Sequence, residues 1–118
     1  MKRIFYFSTL LAASALIISC HGSSAAASVE KSFKVWGNCD KCKAQIEKAG
    51  DLPGVSSIHW SEETNQLGFK IDTTVTTPDA VLNAVAEAGY DNERYTANAE
   101  AYDHLPKCCH YDRKTMQQ

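Results

Sequence analysis

The sequence has no surplus of charge of either sign: 12 Lys and Arg stand against 14 Asp and Glu, a formal net charge of -2. Its basic residues form no cluster of the kind that phosphate contacts along a nucleic acid require, so nucleic acid is not an expected partner. No internal repeat is visible. Beyond residues 1–20 no apolar stretch approaches the length of a membrane span. Room for a multidomain enzyme is also missing, since 118 residues hold at most one small domain beside a leader. What the chain does have is cysteine. There are five, an odd number, so at least one must have a fate other than an intrachain disulfide.

Residues 1–20 explain one of the five. Lys2 and Arg3 give a positive start, and an apolar run follows to Ile18, interrupted only by Ser8, Thr9 and Ser14. That is the pattern of an export signal. Its end, Ile17-Ile18-Ser19-Cys20, resembles a bacterial lipoprotein box, in which cleavage precedes the cysteine and the cysteine is acylated. The alternative is an ordinary signal peptide cut among Ala25 to Ala27, with Cys20 discarded. Either route exports the chain to the periplasm, the first as a membrane-anchored lipoprotein. Either also leaves Cys39, Cys42, Cys108 and Cys109.

Residues 21–29 are mostly small and polar, the composition of a flexible tether. From there the periodicity changes repeatedly. Phe33 and Val35 alternate with polar neighbours, predicting a strand over 32–36 that Gly37-Asn38 ends. Cys42, Ile46 and Ala49 then recur at helical spacing until Gly50 and Pro53-Gly54. Residues 55–60 and 67–71 read as two strands joined by a hairpin loop. Thr77-Pro78-Asp79 is a helix opening, with Thr77 as N-cap and Pro78 in the first turn. Val81, Leu82, Val85 and Ala88 form the apolar face of that helix, and Gly89 ends it. Residues 90–96, with two tyrosines, fit a final edge strand. The order βαββαβ predicts an α+β, ferredoxin-like sandwich, with two helices on one face of a four-stranded antiparallel sheet. Trp36 and Trp60 are expected at the sheet surface or core edge.

Cys39-Asp40-Lys41-Cys42 falls at the first strand-to-helix junction. Two thiols there can turn toward one point. The free N–H groups and positive dipole end of the helix favour thiolate, the form that binds metal, and Lys41 adds positive charge. Two soft ligands suit Cu(I) and fall short of the four that a structural zinc site uses.

Strand, Gly37-Asn38-Cys39-Asp40-Lys41-Cys42, helix, and the later Gly89-Tyr90 resemble the heavy-metal-associated domain. That family includes copper chaperones, domains of copper-transporting ATPases, and periplasmic mercuric-ion binding proteins. The resemblance spans residues 30–96 and implies metal binding by Cys39 and Cys42, with Tyr90 beside the metal loop. It implies Cu(I) as the first choice of ion, with Hg(II) or Zn(II) as alternatives. The implied partner is a metal donor or acceptor protein such as a copper transporter, and the chain is expected not to be an enzyme. One departure stands out: Gly37 occupies the position where many members carry methionine. With the tail included, the chain resembles exported metal-binding proteins of the Bacteroidetes group.

The tail, residues 97–118, carries Cys108-Cys109-His110, two thiols and an imidazole that could add ligands to the first pair or form a separate site. At about 3.3 Å per residue the chain from Tyr95 to Cys108 can extend about 43 Å, enough to return along a strand of about 20 Å. A disulfide between the tail and the first pair, or free thiols on a disordered end, are the alternatives. His59 and His104, without ligand spacing, are assigned no role. Two rival functions remain at this point. A thioredoxin-type oxidoreductase would also use Cys-x-x-Cys at a helix start, though the length and the helix-capping Thr77-Pro78 argue against it. A zinc-stabilised interaction domain would use the tail cysteines together with the first pair.

Overall fold

The computed structural model describes residues 27–113. The leader and Cys20 fall outside the described residues, as do the first positions of the tether. The elements are β1 (Ser28–Lys34), α1 (Asp40–Gly50), β2 (Val55–Trp60), β3 (Gln66–Asp72), α2 (Pro78–Glu87) and α3 (Ala99–Asp103), with a short 3₁₀ turn over Lys107–Cys109. Strand β1 begins at Ser28, earlier than the sequence pattern suggested. Residues placed in the tether pair instead with β3, Ser28 opposite Asp72 and Val29 opposite Ile71.

The sheet is antiparallel in the order β1-β3-β2. Its central strand carries the clearest alternation: Leu67, Phe69 and Ile71 are buried, and the residues between them are not. Period-two burial on one face is what a sheet covered on one side requires. Against that face pack Ile46 of α1 and Val81, Leu82 and Val85 of α2, all fully buried. Helix α2 starts as its sequence dictates, with the Ala80 N–H donating to Thr77 Oγ1 at 3.1 Å and Pro78 in the first turn.

The α+β, ferredoxin-like architecture is present, but the expected fourth strand over 90–96 is reduced to one isolated bridge, Val35 opposite Asn92. The reason lies in the Asn92 side chain. Its Oδ1 accepts the N–H groups of Arg94 and Tyr95, and its Nδ2 donates to the Leu82 carbonyl. These local bonds offer the backbone a turn in place of a ladder. A second correction concerns Trp60. It is fully buried in the core rather than at its edge, and its indole N–H donates to the Val35 carbonyl at 2.9 Å. Trp36 is only partly buried, with the Lys34 ammonium 5.1 Å above its ring.

The tail packs onto this domain. Leu105, Cys109 and Tyr111 join the main core. Gly89, at φ +103, allows the approach, since a Cβ there would stand 3.0 Å from backbone atoms of Ala101 and Tyr102 in α3.

Candidate metal centre

The first thiol pair is built by the β1–α1 junction. Cys39 is the N-cap residue of α1, in extended conformation, and its side chain makes no capping bond of its own. The residues after it turn into the helix, which brings Cys42 round beside it. The two sulfurs stand 3.4 Å apart, and both cysteines are free thiols. Cys42 is fully buried, and its thiol donates to Asn38 Oδ1 at 3.1 Å.

The floor of this loop is Trp60. A Cβ at Gly37 would stand 2.9 Å from Trp60 Cζ2 and 3.2 Å from Cys42 Cβ. No side chain fits there without displacing the indole. The departure at Gly37 therefore has a steric cause: Trp60 fills the space that a side chain at position 37 would occupy.

The two thiols differ electrostatically. Burial acts to raise the Cys39 pKa, but hydrogen bonds outweigh it, chiefly from the Cys42 backbone N–H and side chain and then from Cys109 and Lys41. The net shift is downward. This is the helix N-terminus favouring a thiolate, as the sequence suggested. For Cys42 burial dominates and the pKa is raised. Cys39 is thus the thiol readier to ionise and attack an arriving ion.

The tail returns to this point. Cys109, in the 3₁₀ turn and fully buried, places its sulfur 3.6 Å from that of Cys39. Cys108 is exposed, with its sulfur 3.9 Å from that of Cys109. The sulfurs of Cys39, Cys108 and Cys109 all lie within 4.8 Å of one another, and Cys42 joins the group through Cys39. His110 is not in this cluster; its ring stacks on Tyr102 at 5.0 Å. Among the described residues the cysteines form no disulfide. Burial pushes the Cys109 thiol well up, and the neighbouring Cys42 and Cys39 thiols push the same way.

Tyr90 lies near the thiols of Cys42 and Cys109. It is fully buried, and its hydroxyl donates to Gln45 Oε1 at 2.6 Å. Burial first, then the charge on Cys42, drives its pKa upward, so the ring stays neutral.

What holds the tail in place escaped the sequence reading. Tyr111 stacks on Tyr90 at 6.0 Å and meets Tyr102 edge-on at 5.2 Å. The Tyr111 hydroxyl accepts the Asp91 N–H at 2.7 Å and donates to the Gly89 carbonyl at 2.9 Å. The fully buried Asp91 carboxylate accepts a two-pronged bond from Arg113, at 2.7 and 2.9 Å, and also accepts the Ala97 N–H. Paired aromatics at 102 and 111 in a supposedly loose tail were the available signal. His59 sits on the far edge of β2, exposed, with Nδ1 3.0 Å from Lys43 Nζ; it belongs to a surface ion-pair group with Glu47.

Converging sulfurs, one of lowered pKa, can hold a soft cation by thiolate coordination. No protein-family model matches the sequence, and no curated protein does. Solved structures do match. The structure of a CopZ metallochaperone is 26% identical with a TM-score of 0.52, covering 54% of this chain and 98% of its own. Oxidized MerP from Ralstonia metallidurans CH34 is 29% identical with a TM-score of 0.53, covering 57% of this chain and 96% of its own. A solution structure from Bacillus anthracis str. Ames, 24% identical with a TM-score of 0.54, shares the fold. In fold this chain is similar to a CopZ metallochaperone and to MerP, and its cysteine cluster stands at the junction of β1 and α1.

Proposed function

We propose that this protein captures a soft metal ion, Cu(I) first and Hg(II) or Zn(II) as alternatives, through Cys39 and Cys42, and passes it to a partner protein. The observation that carries this is the 3.4 Å approach of the two sulfurs at a helix N-terminus that lowers the Cys39 pKa. Soft thiolates prefer soft ions such as Cu(I), and likeness to the CopZ metallochaperone supports metal transfer. Transfer proceeds by ligand exchange, an incoming thiolate replacing one sulfur at a time while each released thiolate takes up a proton. No electrons move. The partner is a metal donor or acceptor such as a copper transporter, able to present thiolates of its own.

Against the rival oxidoreductase stands Thr77-Pro78, where Thr77 caps α2 and Pro78 belongs to that helix's first turn. The test is competition among Cu(I), Hg(II) and Zn(II) under reducing conditions, on the exported chain and on its Cys39→Ser, Cys42→Ser variant. We expect about one Cu(I) per chain, lost in the variant. Undiminished binding in the variant rejects the assignment.

The place of work follows from the leader. Export to the periplasm with acylation of Cys20 would tether the domain to a membrane. Among the described residues no helix is long and apolar enough to cross one. Labelling with a tagged fatty acid should mark the wild type and not Cys20→Ser, whose product should leave the membrane fraction. Equal fractionation of both would reject the anchor.

A further inference from the structure

The thiol of Cys109 is not used in the function proposed above, yet it is fully buried with its sulfur 3.6 Å from that of Cys39. We propose that Cys109 is a third ligand, so that the ion is held by Cys39, Cys42 and Cys109 in a three-sulfur site closed by the tail. The inference rests on the soft-metal reading and specifies its coordination.

Distances carry the argument. With a metal–sulfur bond of about 2.3 Å, two sulfurs on opposite sides of an ion stand about 4.6 Å apart, and three around it in a plane about 4.0 Å. Here Cys39 lies 3.4 Å from Cys42 and 3.6 Å from Cys109. A linear two-sulfur site would have to spread the first pair by more than an ångström. Joining Cys109 to the pair asks for only a few tenths at the Cys39–Cys42 and Cys39–Cys109 contacts, and the Cys42 and Cys109 thiols are themselves neighbours. Cys42 has little freedom to spread, being fully buried and bonded to Asn38.

The tail is likewise fixed. The Tyr111 hydroxyl bridges Asp91 and Gly89, and Arg113 grips the buried Asp91 carboxylate. Between them these bonds hold the turn that carries Cys109. Side chains locked by packing and outer hydrogen bonds are what a defined coordination sphere needs. Cys42, Cys109 and Tyr90 are fully buried on the inner side of the site, while the half-buried Cys39 leaves an approach from solvent. The Cys108 sulfur, within 4.8 Å of those of Cys39 and Cys109, is exposed, and His110 is turned onto Tyr102; neither is assigned to the ligand set, and Cys108→Ser tests the first exclusion. On binding, each thiol gives up its proton to solvent and forms one metal–sulfur bond, with no change in oxidation state.

The test is X-ray absorption of the Cu(I)-loaded exported chain, counting sulfur neighbours, with Cu(I) affinity by competition. We expect three sulfurs in the wild type and in Cys108→Ser. In Cys109→Ser we expect two sulfurs with shorter bonds and an affinity lower by about 10–100-fold, at least the loss that outer partners alone can cause. Two sulfurs in the wild type, or four, overturn the proposal, as does loss of one sulfur in Cys108→Ser. Should Cys109→Ser fail to fold by circular dichroism, the wild-type and Cys108→Ser counts still decide. Failure of the underlying reading looks different: copper then stays bound in the Cys39→Ser, Cys42→Ser variant.

Discussion

The two cysteine-bearing regions reach the same point by different physics. Cys39 and Cys42 are neighbours because three residues of chain and one turn of α1 make them so. Cys109 is there because a buried Asp91, an arginine and three tyrosines draw the tail back across the domain. A local site can be read from spacing; a site closed from seventy positions away depends on every contact between. The first region should therefore survive damage to the second, and each substitution below puts that asymmetry at risk.

The largest effect is expected from Trp60→Ala. The indole is fully buried beneath Gly37 and Cys42, and its removal should cost about 3–5 kcal/mol. Denaturant unfolding measures it. A loss below 1 kcal/mol would show that the first loop has no need of its floor.

Tyr111→Leu comes next, at about 3 kcal/mol, from lost stacking and a buried Asp91 N–H left without its acceptor. Its sharper readout is alkylation: Cys109 should become reactive while Cys39 and Cys42 still bind copper. Simultaneous loss of binding at all three would erase the distinction between local and long-range construction.

Gly37→Met introduces the methionine that the sequence resemblance implies at this position and should nevertheless destabilise by about 1–3 kcal/mol, because its Cβ meets the indole at 2.9 Å. The double variant Gly37→Met, Trp60→Leu should recover part of that loss. Equal stability of the single variant and wild type in thermal melts would refute the exchange of space between the two positions.

Glu47→Gln should have the smallest effect, about 1–2 kcal/mol. Glu47 Oε1 accepts the Trp60 N–H at 2.8 Å and pairs with Lys43. Burial acts to raise its pKa, but the Lys43 and Trp60 hydrogen bonds win and hold it below the ordinary 4.5. The folded carboxyl is thus the stronger acid, so its contribution is fully present above that value. It fades as pH falls through the folded pKa. Stability curves of wild type and variant should converge in acid; a constant gap down to the lowest pH would contradict the assignment.

How far the sequence could be read follows the same division. Alternation at Leu67, Phe69 and Ile71 identified β3, and Thr77-Pro78 identified the start of α2, because both signals concern residues a few positions apart. The edge strand over 90–96 failed for a reason also local but weaker: Asn92 offers its own side chain to the backbone, and nothing in its neighbours announces that choice. Trp60 was misplaced because an aromatic at a strand end looks the same whether core or rim receives it. The tail cysteines were visible as ligands in waiting, but not which of them would arrive.

By itself the sequence determined the order of the elements from β1 to α2, the thiol pair and its position at a helix start, since backbone preference and short spacing act within one turn or one strand. Only the tertiary structure decided that Trp60 underlies Gly37, that Cys109 and not His110 turns toward Cys39, and that Asp91 holds Arg113. Those outcomes hinge on burial and on which buried polar groups find partners, and such contacts exist only once distant parts of the chain have been brought together.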